Sequence, residues 1–316
     1  PEIKPGTPHR NLPGSRCGSA DPIHQAVMSK SISMSRRARL WVMKRFPGTY
    51  VNLSQAYNSL LWKNEQRGLR GEITPSGLPS VMFYSYYRCG SMFLSRAIRE
   101  LALANGLQHL DYCSYFVKVA PGKGVSLFDR ETLETAFHPE GCYYGTLRRA
   151  YPIPAHENYR SVLLLRDPRD CLVSHYFSIR ESHTLNNHGN LRARREALAT
   201  DVDQWVLAHA EEYRRDFLDF HRQLVGKPGV LFLPYEEMVT AFPEFIRKVV
   251  EHTGMDGNRS LVDRIVKEAD FEVSSENVLS HKRSVKPGNH RKKLNSETVE
   301  QLDEALSEVL ELFHYR

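Results

Sequence analysis

Residues 81–104, VMFYSYYRCGSMFLSRAIRELALA, decide the reading of the fold. Val81–Ser85 is a short apolar run suited to a strand buried on both faces. From Ser91 onward, apolar residues at 94, 97, 98 and 101 form one face of a helix, and Gly106 follows as its stop. Between them, Tyr86–Gly90 supplies a turn with a basic side chain, Arg88, and a glycine. Such a turn feeds a helix whose first amides and positive end suit an oxyanion, and Ser91 adds a hydroxyl. The turn is shorter than a GxxxxGK[ST] loop. Taken alone, it also fits an ordinary strand–turn–helix with an exposed arginine.

The same pattern recurs downstream. Ser161–Leu165 reads as a second buried strand, Arg166 leaves its carboxyl end, and Asp167 caps a helix with Pro168 at its first position. Leu172, Val173, Tyr176 and Phe177 form that helix's apolar face, and Ser174 lies two turns in. A long amphipathic helix is expected over 201–225, a third strand over Val230–Leu233, a helix over 242–253 stopped by Gly254, and a last helix from Asn295 or Ser296. Apolar strands alternating with amphipathic helices predict an α/β fold: three layers, with a mainly parallel central sheet flanked by helices. Ligands of such sheets sit at the carboxyl ends of the strands.

Composition narrows the function classes. Of 316 residues, 41% are hydrophobic and 25% charged, enough for a packed core. Residues 1–50 hold nine basic and two acidic side chains, which leaves 34 basic and 35 acidic in the rest. The reading is a basic arm or extension over 1–75, packed on or preceding a main domain at 76–316. The arm includes a possible basic helix at 33–46 and a lead-in loop at 70–79. A second basic cluster comprises Lys282, Arg283, Lys286, Arg291, Lys292 and Lys293. No run approaches the roughly 18 apolar residues of a membrane-spanning helix, and residues 1–30 have no apolar signal core. Cys17, Cys89, Cys113, Cys142 and Cys171 stand alone with no CxxC, so neither a structural zinc site nor a disulfide framework is expected. Reduced thiols point to a cytoplasmic protein. The balanced core, without a recognised motif, argues against nucleic-acid binding.

Together these segments resemble the sulfotransferases that use 3′-phosphoadenosine 5′-phosphosulfate (PAPS), whose first signature is of the type TYPKSGTTW. SYYRCGSMF at 85–93 is similar in length and in its glycine. The resemblance implies that Arg88, Cys89, Gly90, Ser91 and Met92 bind the 5′-phosphosulfate, with Arg88 on the family's lysine and Phe93 on the aromatic that packs against adenine. RDPRDCLVSHYF at 166–177 resembles the second signature, RNPKDVAVSYYHF, which places Arg166 and Ser174 on the 3′-phosphate. The segment 230–254 resembles the family's strand, Tyr-Glu-Asp turn and helix, with Tyr235 near the adenine. Arg283–Arg291 resembles RKGxxGDWK, which assigns Arg283 to the 3′-phosphate and Ser284 and Val285 to the nucleotide loop. The resemblance covers about 81–105, 160–180, 229–255 and 281–310, and implies a P-loop-NTPase-like architecture.

The implied activity is in-line transfer of a sulfuryl group from PAPS to a hydroxyl or amine of a small-molecule or glycan acceptor. PAP is the product, and no metal is required. Arg88 is the catalytic candidate. Two departures stand out. Arginine replaces lysine at 88, keeping charge but unable to protonate a leaving group. The family's Lys-Thr-His segment here reads Gly145-Thr146-Leu147-Arg148-Arg149, without histidine. A base is sought among His183, His188, Asp111, His109, His138 and His156; Arg148 and Arg149 are read as a solvated pair, the alternative being contact with an anionic acceptor. The alternatives are a P-loop nucleotide kinase-like enzyme and a catalytically degenerate nucleotide-binding or interaction protein. Acceptor identity and oligomeric state stay open.

Overall fold

The computed structural model describes residues 45–46, 61–120, 122–182, 188–255, 258–269, 271 and 286–315; for Ser182 and residues 188–191 it describes the backbone alone. The chain divides into two units, Pro1–Tyr50 and Val51–Arg316. All elements below belong to the second. Arg283, Ser284, Val285, His183 and most of the expected helix at 33–46 lie outside the described residues.

In chain order the elements are α1 (Lys63–Gly68), β1 (Val81–Ser85), α2 (Ser91–Ala104), β2 (Gln108–Leu110), α3 (Tyr112–Lys118), α4 (Arg130–Ala136), β3 (Cys142–Leu147) and β4 (Arg160–Leu165). There follow α5 (Pro168–Phe177), α6 (His188–Ala199), α7 (Val202–Leu224), β5 (Val230–Pro234), α8 (Tyr235–Thr240), α9 (Phe242–Thr253), α10 (Arg259–Glu268), α11 (His290–Lys293), α12 (Ser296–Ala305) and α13 (Ser307–Leu312). Local chemistry sets the boundaries. Asp167, Asp201 and Asn295 each accept a backbone N–H at the start of α5, α7 and α12. Gly254 ends α9 in the left-handed conformation, φ 66°. The single last helix expected from sequence is broken at Leu306 (φ −103°, ψ 8°), and both pieces pack on α7.

The five strands form one sheet in the order β2-β3-β1-β4-β5, all parallel, and helices flank it. Strands β1 and β3 are buried along their whole length, as are residues 161–165 of β4, which explains their near-continuous apolar or aromatic composition. β2 and β3 are absent from the sequence reading. β2 has three residues, too few for a pattern, and β3 is CYYGTL, with two tyrosines and a glycine in place of the aliphatic run. At the near end of the expected extension, α1 packs on β2, and Glu65 accepts the backbone N–H of Asp111 at 3.1 Å.

The topology locates the ligand crevice. From β1 the chain moves to β2 and β3 on one side, then crosses to β4 and β5 on the other. The switch point lies between the carboxyl ends of β1 and β4. There Ser85 pairs with Leu164, so the turns at 86–90 and 166–170 leave the sheet side by side.

Candidate active site

The turn after β1 is shaped by two left-handed residues, Arg88 at φ 67° and Gly90 at φ 76°. For arginine this conformation is uncommon and costs energy. The half-buried Arg88 donates from Nε to Ser174 Oγ on α5 at 3.0 Å. Cys89 beneath it is fully buried, its Sγ 3.5 Å from Cys171 Sγ of α5. Two residues separated by 86 positions, both singled out in the sequence, are therefore in direct contact. Gly90 precedes α2, whose first turn receives no side-chain cap. A Cβ on Gly90 would lie 2.7 Å from Met238 Cε and 2.9 Å from Tyr235 Cε2. Gly90→Ala is expected to destabilise the protein by about 1–3 kcal/mol through the positive φ and this overpacking; a thermal-unfolding midpoint equal to wild type would refute it.

The second turn presents Arg166, 4% exposed. Its Nη2 donates to Asp170 Oδ2 at 2.9 Å and to the Lys286 carbonyl at 3.5 Å. Its guanidinium carbon sits 4.5 Å from the centroid of the Tyr235 ring. Burial pushes the Tyr235 hydroxyl up to about 12, with Arg166 pulling the other way. Arg166 Nε is buried and has no hydrogen-bond partner among the described residues. A buried, charged donor without a partner is costly. Asp170 accepts from Gly288 N and from His290 N, each at 2.9 Å, and from His290 Nδ1 at 2.8 Å. Burial opposes ionisation, but the donors of His290 and Arg166 outweigh it and hold the Asp170 carboxyl well below the ordinary carboxylate range. Arg169 is structural: it is tied to Asp167, to Asp303 and to the Tyr315 carbonyl.

Phe93 is partly buried on α2, with ring centroids 5.2 Å from Phe242 and 5.0 Å from Phe271. Phe271 is an addition that sequence reasoning did not supply. Met92 is 76% exposed beside it. Arg88 and Ser174 thus lie in contact, and Tyr235 lies against both Gly90 and Arg166, at the carboxyl ends of β1 and β4.

Arg148 departs from the expected solvated pair. At the carboxyl end of β3, its Nη1 donates to Ser91 Oγ at 2.8 Å and to the Tyr86 carbonyl at 3.1 Å. Its guanidinium carbon lies 5.4 Å from the Tyr87 ring centroid. The reason is topological: β3 neighbours β1, so the residue after β3 reaches the turn after β1. Arg149 is exposed as expected. Tyr87, 44% exposed, also stacks on His175, whose Nδ1 lies 2.9 Å from the Tyr213 hydroxyl.

The candidate bases separate by position. His138 precedes β3 and His156 precedes β4, where His156 Nε2 lies 3.1 Å from Ser161 Oγ. Both therefore lie at the amino ends of the strands, opposite the crevice. Asp111 caps α3, accepting Ser114 N at 2.9 Å. His109 stacks on Tyr143, and burial pushes it down to about 4 despite Asp111. His188 opens α6. Among the described residues, no group of three or more His, Cys, Asp or Glu could hold a metal ion, and no helix is long and apolar enough to cross a membrane.

Comparison with known proteins bears on the family and the fold. Sulfotransferase 1C2 of Homo sapiens is 27% identical over 128 residues, 40% of this chain and 41% of the relative. Sulfotransferase 1C2 of Rattus norvegicus matches to the same extent. The chain thus spans about two fifths of the length of the curated relatives it matches. Among solved structures, mouse sulfotransferase SULT7A1 complexed with PAP superposes with a TM-score of 0.52 at 17% identity, covering 80% of this chain and 94% of that one. At that identity the likeness concerns the fold. A family model described as the sulfotransferase domain matches residues 152–314, just over half of the chain. That match takes in Arg166, Ser174 and Tyr235 and leaves the Arg88 turn outside it. Carrying that domain on the parallel sheet described above, the chain belongs to the sulfotransferase family.

Proposed function

We propose that this protein transfers a sulfuryl group from PAPS to a hydroxyl or amine of a small-molecule or glycan acceptor. The observation that carries the reading is the buried Arg166, whose Nε has no hydrogen-bond partner among the described residues, at the carboxyl end of the strand beside the one that leads into the Arg88 turn. The crevice therefore offers two cationic positions, one on each turn. A nucleotide with phosphate groups at both its 3′ and 5′ ends matches that pair. ATP has no 3′-phosphate for Arg166. The mouse sulfotransferase named above was crystallised with PAP, which supports the same ligand class here.

PAPS, when bound, supplies an activated sulfur–oxygen bond. In this reading Arg88, Cys89, Gly90, Ser91 and Met92 cradle the 5′ end, with the start of α2 facing the anion. Arg88 stabilises the negative charge that grows on the bridging oxygen, a term worth most in the transition state. Arg148 holds Ser91 and the Tyr86 carbonyl in place. Arg166 and Ser174 receive the 3′-phosphate, together with Arg283, Ser284 and Val285 of the flanking segment. Tyr235, Phe93 and Phe271 border the adenine. No metal enters this mechanism. We assign residues 76–316 to the sulfotransferase domain and 1–75 to a basic extension, and take the isolated cysteines as the ground for a cytoplasmic setting.

The test is a thermal-shift titration with PAP, ADP and ATP side by side. A ligand bound only by the folded state stabilises it by about 2.7 kcal/mol at a hundredfold excess over its dissociation constant. PAP is expected to give the largest shift at equal concentration. A preference for ATP would support the kinase-like reading, and PAP binding without sulfation of any acceptor would support a degenerate member. Arg166→Ala is expected to weaken PAP by about 1.5–3 kcal/mol, the range for a hydrogen bond to a charged group, and to leave AMP almost unchanged. Calorimetric titration of both nucleotides checks this, and equal losses would remove Arg166 from the 3′-phosphate.

A further inference from the structure

His290 opens the four-residue helix α11 and is followed by Arg291, Lys292 and Lys293, yet it is only 2% exposed. Its burial has a specific use. Backbone N and ring Nδ1 of His290 both donate to Asp170 Oδ1, at 2.9 and 2.8 Å. The other oxygen, Oδ2, takes Arg166 Nη2 and Gly288 N, each at 2.9 Å. An ionised carboxylate only accepts, so Nδ1 of His290 carries the proton in this contact. Each Asp170 oxygen is thus held by one backbone N–H of the 288–290 segment and by one side-chain donor: the His290 ring on Oδ1, the Arg166 guanidinium on Oδ2. Asp170 links these two side chains.

The geometry matters because Arg166 is long and has many rotamers, while a planar guanidinium must be aimed to engage an anion. Its surroundings aim it from two sides. The Tyr235 ring covers one face, and Asp170 takes Nη2. That leaves Nε buried without a hydrogen-bond partner among the described residues. Rotation of the Asp170 carboxylate would carry the guanidinium with it. The His290 ring is the side chain that blocks this rotation from the far oxygen. In the RKGxxGDWK pattern this position is tryptophan, so the histidine contact is a feature of this chain.

We propose that His290 is a positioning residue for Arg166, acting through Asp170, and that it sets the preference for a 3′-phosphorylated nucleotide. The proposal rests on the reading of Arg166 given above, and its test separates the two. The probes are PAP and AMP, which differ only in the 3′-phosphate, titrated by calorimetry against wild type, His290→Leu and His290→Asn. Leucine keeps most of the volume and removes the donor; asparagine places a donor near that of Nδ1. For His290→Leu the PAP-over-AMP preference is expected to fall about tenfold or more, with AMP affinity little changed, the scale of one hydrogen bond to a charged group. His290→Asn is expected to recover most of the loss. A role confined to holding the C-terminal segment would lower the unfolding midpoint of His290→Leu and leave the ratio at its wild-type value, and that result overturns the proposal. A wild-type protein with no PAP preference would instead overturn the nucleotide reading, and the proposal with it. Should His290→Leu not fold, the His290 ring resonances of the wild-type protein decide. PAP is expected to shift them and AMP to leave them, and no response to PAP overturns the proposal.

Discussion

Replacing Arg88 by alanine is expected to lower turnover by about 10²–10³-fold, the loss seen when one preorganised donor to developing charge is removed. Affinity for PAP should fall far less. The asymmetry follows from when the charge appears: in the ground state the bridging oxygen carries little of it, and in the transition state the breaking bond delivers it there. The side chain is held ready, because Nε is engaged by Ser174 Oγ at 3.0 Å and the backbone sits at φ 67°. Arg88→Lys keeps the charge and gives up the Nε hydrogen bond to Ser174, so an intermediate rate is expected. Steady-state rates at saturating PAPS, set beside calorimetric PAP binding, separate the two effects as kcat against Kd. Unchanged turnover in Arg88→Ala would move the catalytic role to another residue, with Arg148 the next cation along the sheet edge.

Asp170→Ala is expected to cost the most stability, about 3–5 kcal/mol, because it leaves the buried Arg166 guanidinium without its charged partner. For a domain of this size that is a fall of order 10 °C in the unfolding midpoint. The side chains of Asp170 and Arg166 are 0% and 4% exposed, so solvent cannot substitute for the missing partner. The same residue governs acid sensitivity. Its folded-state pKa lies below the ordinary Asp value of about 3.9. The unfolded chain therefore binds this proton more readily. The stabilisation is complete above that ordinary value and is lost as pH falls below it toward the folded-state value. Wild-type stability should thus decline steeply below about pH 4, and the Asp170→Ala profile should be flatter there. Urea midpoints across pH 2.5–6 measure both, and parallel profiles would show that Asp170 does not carry the acid response.

Much of the site can be read in the linear sequence because its residues lie at strand ends. A buried strand, a turn and a helix leave a local pattern, and both turns of the crevice follow that grammar: Val81–Ser85 then Ser91–Ala104, and Arg160–Leu165 then Pro168–Phe177. The caps at Asp167, Asp201 and Asn295 and the stop at Gly254 are equally local, each needing only a few neighbouring residues. What sequence could not supply is contact across distance. Arg148 looks like half of a solvated pair until β3 takes its place beside β1. The β3 strand itself is hidden by Tyr143, Tyr144 and Gly145. Phe271 lies outside any local pattern that marks a site, and His290, though inside the Arg283–Arg291 segment, carries no local sign that its ring meets Asp170.

The sequence by itself determined the α/β class, the position of the two anion-suited turns and the residue types in them. These depend on hydrophobic periodicity and turn chemistry, which act over a few residues. Only the tertiary structure decided that Arg88 meets Ser174, that Tyr235 lies under Arg166 and against Gly90, and that Asp170 joins Arg166 to His290. Those contacts follow from strand order and register, which no local pattern encodes, and from the need of each buried charge for a partner, wherever in the chain that partner lies.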